Sequence, residues 1–212
     1  MSRPRGRGRW NRRELAVLDR LTDPASIQGF LDTLPYSADK IYRCPRSVLR
    51  DRKAHCFDGA LFAAAALRRL GHPSLLVDMR SVRDDDHIIA IFRRGGHIGA
   101  VAQSNFVGLR YRDPVFRTVR ELVLSYFEGF YNVDREKTLR SYSAPLDLSR
   151  FDALSWETSD NGLDVIAARL DGIRHFPLLT SRQEKTLSKV DERSYKAGML
   201  GINSAGLYKP RR

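Results

Sequence analysis

Apolar residues recur along this chain first at helical and later at strand spacing. Leu15, Leu18 and Leu21 give a helical stripe over Arg13 to Leu21, and Asp23-Pro24 ends it. A second stripe, Ile27, Phe30, Leu31 and Leu34, starts near Pro24 and stops before Pro35. Tyr36 to Ala54 is polar, and Cys44-Pro45 forces an extended turn, so this stretch predicts a loop with room for one helical turn. From Cys56 to Leu70 the chain is rich in Ala and Leu, with charge near its ends and Gly71 and Pro73 beyond. That pattern predicts a buried helix with a glycine stop, with Cys56 in its first turn.

Three short apolar runs follow, Ser74 to Met79, His87 to Phe92 and Ile98 to Ala102, and Gly95-Gly96 supplies a hairpin turn between the last two. Helix spacing returns over Arg117 to Phe130, with Val119, Leu122, Val123, Tyr126 and Phe127 on one side. From Tyr131 the chain is polar and turn-rich, with Ser143-Ala144-Pro145 as a turn and helices expected at Leu163 to Leu170 and Arg182 to Lys196. No internal repeat is visible. The fold class expected is α+β: an antiparallel sheet packed on the Cys56 helix, with flanking helices. Residues 1–13 are expected as a basic disordered tail, 14–135 as the main domain, and 136–212 as a helical or irregular extension packed on it.

Composition narrows the function classes. The 212 residues, 42% hydrophobic, suit one compact domain with extensions. No run approaches the roughly 18 apolar residues of a membrane span, so none is expected. Two cysteines, Cys44 and Cys56, are too few for a disulfide framework and lack zinc-site spacing, which makes a reducing, cytoplasmic compartment the default. The net charge of +12 is uneven: Arg3, Arg5, Arg7, Arg9, Arg12 and Arg13 precede the first acid, Glu14. These arginines predict a solvated tail, with weak attraction to nucleic acid or an anionic surface as the sharper alternative. Arg110, Tyr111, Arg112, Arg117 and Arg120, near Tyr126 and Phe127, interleave cationic and aromatic types as some nucleic-acid surfaces do.

The candidate chemistry centres on Cys56. A thiol in the first turn of a helix meets free N–H groups and the positive end of the macrodipole, which favour thiolate, and its own N–H is placed to receive an oxyanion. A cysteine nucleophile needs an imidazole near in space. His87, which opens a strand, is the candidate base; Asp84, Asp85 and Asp86 before it are expected as a solvated loop, with a raised His87 pKa and a thiolate–imidazolium pair as the sharper alternative. Asn105, beyond the next strand, is the candidate that orients the imidazole, with Gln103 as substitute. Tyr42 and Arg43 are candidates for lining an acyl pocket. His55 is expected to point away from Cys56, toward solvent or the tyrosine-bearing loop, and His72, His97 and His175 to lie in turns or at the surface.

The order Ala54-His55-Cys56-Phe57-Asp58-Gly59-Ala60, a helix ending Leu70-Gly71-His72-Pro73, the strand Leu75-Leu76-Val77, a strand opening with His87 and a glycine-turned hairpin resembles the core of the transglutaminase-like superfamily, a papain-like thiol fold. The resemblance covers about a quarter of the chain, Lys53 to Asn105. It implies Cys56 as nucleophile and His87 as base. The family has Asp on the next strand as third member; here Gln103-Ser104-Asn105-Phe106 offers the amide of Asn105 instead. The implied activity is thiol-dependent acyl transfer, or amide or ester hydrolysis, through a Cys56 thioester, on a peptide, protein or small amide or ester. No organic cofactor, metal or calcium loop is implied. The superfamily also holds inactive binding domains, so a peptide- or protein-binding domain without activity is the alternative, beside a basic nucleic-acid-binding protein.

Overall fold

The computed structural model describes residues 10–208, so most of the expected basic tail lies outside the described residues. Three short helices lead into the core. Helix α1 (Arg12–Leu18) is capped reciprocally by Asn11 and Glu14, and α2 (Pro24–Asp32) by Asp23 and Ser26. Helix α3 (Pro45–Asp51) lies in the stretch that the sequence predicts as a loop with room for one helical turn, and is longer than one turn. Its N-terminus has no local side-chain cap; the Asp160 carboxylate instead accepts from Cys44 N at 2.7 Å and Ser47 Oγ at 2.8 Å. A remote acid thus satisfies groups that would otherwise be orphaned at the helix start.

The long helix α4 (Cys56–Arg69) ends as expected. Gly71 adopts φ +89°, Gly71 N donates to Arg68 O and His72 N to Leu67 O, the reciprocal bonds of a glycine-terminated helix. Arg68 in its last turn binds both oxygens of Asp152 at 2.6 Å, which ties α4 to the 3-10 turns at Leu148–Leu154.

The sheet is antiparallel throughout. Strands β1 (Leu75–Ser81), β2 (His87–Arg94), β3 (His97–Val101), β4 (Arg112–Phe116), β5 (Leu139–Ser143), β6 (Leu146–Asp147) and β7 (His175–Pro177) follow the spatial order β4-β3-β2-β1-β5-β7, with β6 also paired to β1. The mixed α+β class is therefore observed. The boundary drawn at 135/136 falls inside a continuous sheet, because β5, β6 and β7 extend it from β1. Helices α5 (Val119–Leu124), α6 (Leu163–Gly172), α7 (Ser181–Lys185) and α8 (Glu192–Gly198) complete the chain. The single helices expected over Arg117 to Phe130 and Arg182 to Lys196 are thus shorter or split.

Strand alternation separates two cores. Leu76, Ala90 and Phe92 meet the alanines of α4 on one face, while Val77, Met79, Ile89 and Ile91 meet Leu122, Val123 and Tyr126 on the other. Each fully buried aliphatic or aromatic side chain contributes about 1.5–3 kcal/mol, so both faces stabilise the sheet. Among the described residues no helix is long and apolar enough to cross a membrane.

One irregularity positions the site. Strand β3 ends at Val101, paired with Ala90, and the chain then departs; the Gln28 carboxamide takes over, binding Ala102 N at 3.1 Å and Ala102 O at 3.0 Å. The first residues of β2 are left without a strand on that side. The N-terminus of α4 arrives there.

Candidate thiol site

Cys56 is the first residue of α4, and its Sγ lies against the open start of β2, 3.8 Å from Asp86 O, where the Ile88 N–H lowers its pKa. The sulfur therefore meets the peptides on both sides of His87. The N–H groups of the helix start are shared with a second acceptor. His55, at the N-cap, uses Nδ1 to accept from Phe57 N at 3.2 Å and Asp58 N at 3.4 Å, while Asp58 accepts from His55 N at 3.3 Å. Burial lowers the His55 pKa to about 4, so the ring stays neutral and keeps accepting. It faces the tyrosine-bearing loop, with its ring 5.8 Å from that of Tyr42.

Burial dominates the thiol as well. It pushes Cys56 up to about 12, helped by the charges of Asp58 and Asp85 and opposed by the N–H groups of Ile88 and Phe57. His87 moves the other way: burial lowers it to about 4, the Arg112 charge adds to that, and a hydrogen bond to Leu109 O opposes it. Both shifts favour the uncharged forms, thiol and neutral imidazole, over a thiolate–imidazolium pair, because desolvation outweighs both the helix dipole and the aspartates. The aspartate run is itself occupied: Asp84 accepts from Thr138 Oγ1 at 2.8 Å and Asp86 from Ser81 N at 2.7 Å.

His87 is 4% exposed, with its ring edge-on to Phe130 at 6.3 Å. Its Nε2 lies 2.8 Å from Leu109 O. A carbonyl only accepts, so Nε2 carries the hydrogen and Nδ1 holds the lone pair. Cys56 and His87 share the wall of one small cavity, of about 40 Å³, with Leu109, Phe130 and Tyr131.

Asn105 also borders this cavity but does not orient the imidazole, which corrects the expectation for it. Its carboxamide is spent on another residue, donating from Nδ2 to Asn203 O at 2.9 Å and accepting at Oδ1 from Asn203 N at 2.7 Å. The substitute, Gln103, donates to Leu34 O at 3.0 Å and packs on Gly59, where a Cβ would come within 2.2 Å of its own. It is a structural residue. Leu109 O takes the orienting position instead.

A larger cleft of about 460 Å³ opens beside the sulfur, bordered by Tyr36, Tyr42, His55 and Phe57. Tyr42, 43% exposed, lines it as expected, and its ring meets Phe57 at 4.9 Å. Arg43 does not. It is 3% exposed and pairs with Asp39, with Asp51 at 3.0 Å and with Asp58 at 3.6 Å, so it locks the loop preceding α4 rather than touching a substrate.

Sequence reasoning missed Tyr36. It borders both the cleft and the smaller cavity together with Cys56, and burial followed by the sulfur's charge raises its pKa well above the usual phenol value. It therefore remains a donor. His175 is a further correction: it is not a surface residue but bonds the buried Asp78 carboxylate through Nε2 at 3.0 Å and Ile173 O through Nδ1 at 2.8 Å. Within the cationic–aromatic stretch, Arg112 lies 4.0 Å over the ring of buried Tyr126, whose hydroxyl donates to Arg110 O. No protein-family model matches the chain, and no curated protein matches it.

Proposed function

We propose that the chain has a transglutaminase-like, papain-type core and that Cys56 forms a thioester with an amide or ester substrate. The observation that carries this reading is the His87 imidazole, fixed through Nε2 on Leu109 O, in the cavity it shares with the Cys56 sulfur. A carbonyl entering the cleft from the Tyr42 side would meet Sγ at the helix start. Because thiol and imidazole are both neutral at rest, proton transfer to His87 Nδ1 accompanies formation of the C–S bond rather than preceding it. The oxyanion accepts from Cys56 N–H and Tyr36 Oη–H, from two residues that border the same cavity. The imidazolium returns its proton to the departing amine or alcohol as the C–N or C–O bond breaks. Water or a second amine then attacks the thioester with His87 again as base, and as the C–S bond breaks the imidazolium returns that proton to the Cys56 sulfur. The two free cysteines are in keeping with a reducing compartment.

The test is incubation with an activated acyl ester followed by intact-protein and peptide mass spectrometry. The reading requires an adduct on Cys56 that neutral hydroxylamine removes, and none in Cys56→Ala. One observation favours a second reading, a peptide-binding cleft without chemistry: the thiol contacts Asp86 O rather than a base. In that case any Cys56 adduct forms equally well without His87.

A further inference from the structure

The chain's own C-terminal segment lies across the mouth of the thiol cleft. Asn203 gives its backbone N–H and C=O to the two ends of the Asn105 carboxamide, at 2.7 and 2.9 Å, and its side chain donates from Nδ2 to Tyr36 O at 2.9 Å. Asn203 Oδ1 accepts from Ala205 N at 3.1 Å, which turns the chain over the cleft. Gly206 then lies on the ring of Tyr36: a Cβ there would stand 3.0 Å from Cδ1 and Cε1, and 3.4 Å from Asn105 Nδ2. Ala205, Gly206 and Leu207 border the larger cleft, and Gly206 and Tyr208 the smaller cavity that holds Cys56 and His87.

These contacts have a particular chemistry. A primary carboxamide that donates to a peptide C=O and accepts from the N–H of the same residue reads main chain, as an added strand does, and is indifferent to the side chain it holds. The anchorage of the segment is thin. Of residues 181–208 only Val190 is buried. Helix α8 is held by Tyr131, whose Oη donates to Ser194 O at 3.1 Å and whose ring lies 5.8 Å from that of Tyr195, and by Tyr195 Oη, which donates to Val133 O at 3.4 Å. A segment held by hydrogen bonds with little buried apolar surface opens at low cost compared with the core.

We propose that residues 203–208 are an intramolecular occupant of a peptide-binding groove, in which Asn105 clasps one residue of an extended main chain beside Cys56, and that this segment must leave before a peptide partner enters. The proposal rests on the Cys56 site as the place of reaction, and it names peptide main chain as what that site receives. Asn105 is then a positioning residue for the peptide rather than for the imidazole. Tyr36 links the two events, since the ring covered by Gly206 belongs to a residue that shares both cavity walls with Cys56.

The experiment compares the parent chain, a chain ending at Ile202, and full-length Gly206→Val, which crowds the Tyr36 ring without removing anything. Site-resolved mass spectrometry follows iodoacetamide alkylation of Cys56, with buried Cys44 as internal reference. Cys56 should react roughly tenfold faster in both variants, the factor expected when one or two net hydrogen bonds no longer hold the segment. A synthetic peptide of residues 199–212 added in trans should slow the shortened chain again, and should fail to do so when that chain also carries Asn105→Ala. Equal Cys56 rates in the parent and in both variants, or a peptide without effect on the shortened chain, overturn the proposal; if the shortened chain does not fold, Gly206→Val decides alone. Alkylation reads access and needs no base. Faster alkylation without any acyl adduct therefore leaves the occupant standing while the thioester reading fails, and the reverse result separates them the other way.

Discussion

His87 donates its Nε2 hydrogen to the main-chain carbonyl of Leu109 at 2.8 Å, and this bond determines which ring nitrogen is available as a base. A carboxylate in that position would favour the imidazolium by its full charge; a carbonyl orients the ring and stabilises the charged form far less. The ring accordingly stays neutral, lowered to about 4 by burial. Leu109 closes the 3-10 turn Val107–Leu109, which Arg112 pins by donating to Gly108 O at 2.7 Å. The orienting group is thus held by the second core, independently of the cleft.

The thiol is expected to titrate late. With Cys56 raised to about 12, alkylation of the native protein should climb about tenfold per pH unit between pH 7 and 10 without levelling, because only the thiolate reacts. Rates resolved by site would show it. A plateau reached at or below neutral pH would instead reveal a thiolate–imidazolium pair.

Tyr36→Phe removes one of the two donors proposed for the oxyanion. Acylation of Cys56 should slow by about 10²-fold, as loss of an oxyanion donor does elsewhere, while stability changes by no more than about 1 kcal/mol. Acylation kinetics and thermal melts on one preparation check this. Unchanged acylation would remove Tyr36 from the mechanism.

Arg43 is expected to matter for stability. Arg43→Met leaves buried Asp58 without its guanidinium and should cost about 3–5 kcal/mol in denaturant unfolding at pH 8, above the raised Asp58 pKa of about 7. Adding Asp58→Asn to that variant should recover part of the loss. A cost below about 1 kcal/mol would mean that the hub is not a structural necessity.

Asp58 also predicts a pH dependence. Burial raises it to about 7 from 3.8, so between those values the folded state keeps a proton that the unfolded chain has released, and its contribution to stability is lost as pH rises from about 4 to about 7. His55 and His87, both lowered to about 4 from 6.5, act in the opposite sense: what they contribute is present above pH 6.5 and lost as pH falls toward 4. Asp58→Asn removes only the first effect. The variant's stability relative to the parent should therefore improve by up to about 1.4 kcal/mol per pH unit from pH 4 to 7. A difference that does not vary with pH would show that Arg43 keeps Asp58 ionised throughout.

What was legible in the sequence was local. The Ala- and Leu-rich run, its stop at Gly71 and the strand that opens with His87 each announce themselves within about a dozen residues. The parts that were not legible depend on partners far along the chain. Helix α3 needs Asp160, 116 residues beyond Cys44, and Asn105 is engaged by Asn203, 98 residues away. The helix expected from Arg117 unwinds where Ser125 Oγ donates to Leu122 O at 2.6 Å and Arg112 takes Ser125 O. The one expected from Arg182 breaks where Val190 N donates to Arg135 O at 2.9 Å. Leu109 had no signal at all, because a main-chain carbonyl that holds an imidazole leaves no mark on residue identity. Tyr36 reaches Cys56 only through a single parallel bridge between Tyr36 and Ala54.

The central claim, that His87 acts as base for Cys56, is tested most directly by the rate of Cys56 acylation in His87→Ala against the parent, using one activated ester at pH 7.5 and mass spectrometry to locate the adduct. Loss of a positioned base should lower that rate by about 10² to 10⁴-fold. Alkylation by iodoacetamide at high pH, where hydroxide removes the proton, should by contrast fall little. An acylation rate in His87→Ala equal to that of the parent would contradict the account and leave Cys56 as a thiol in a binding groove.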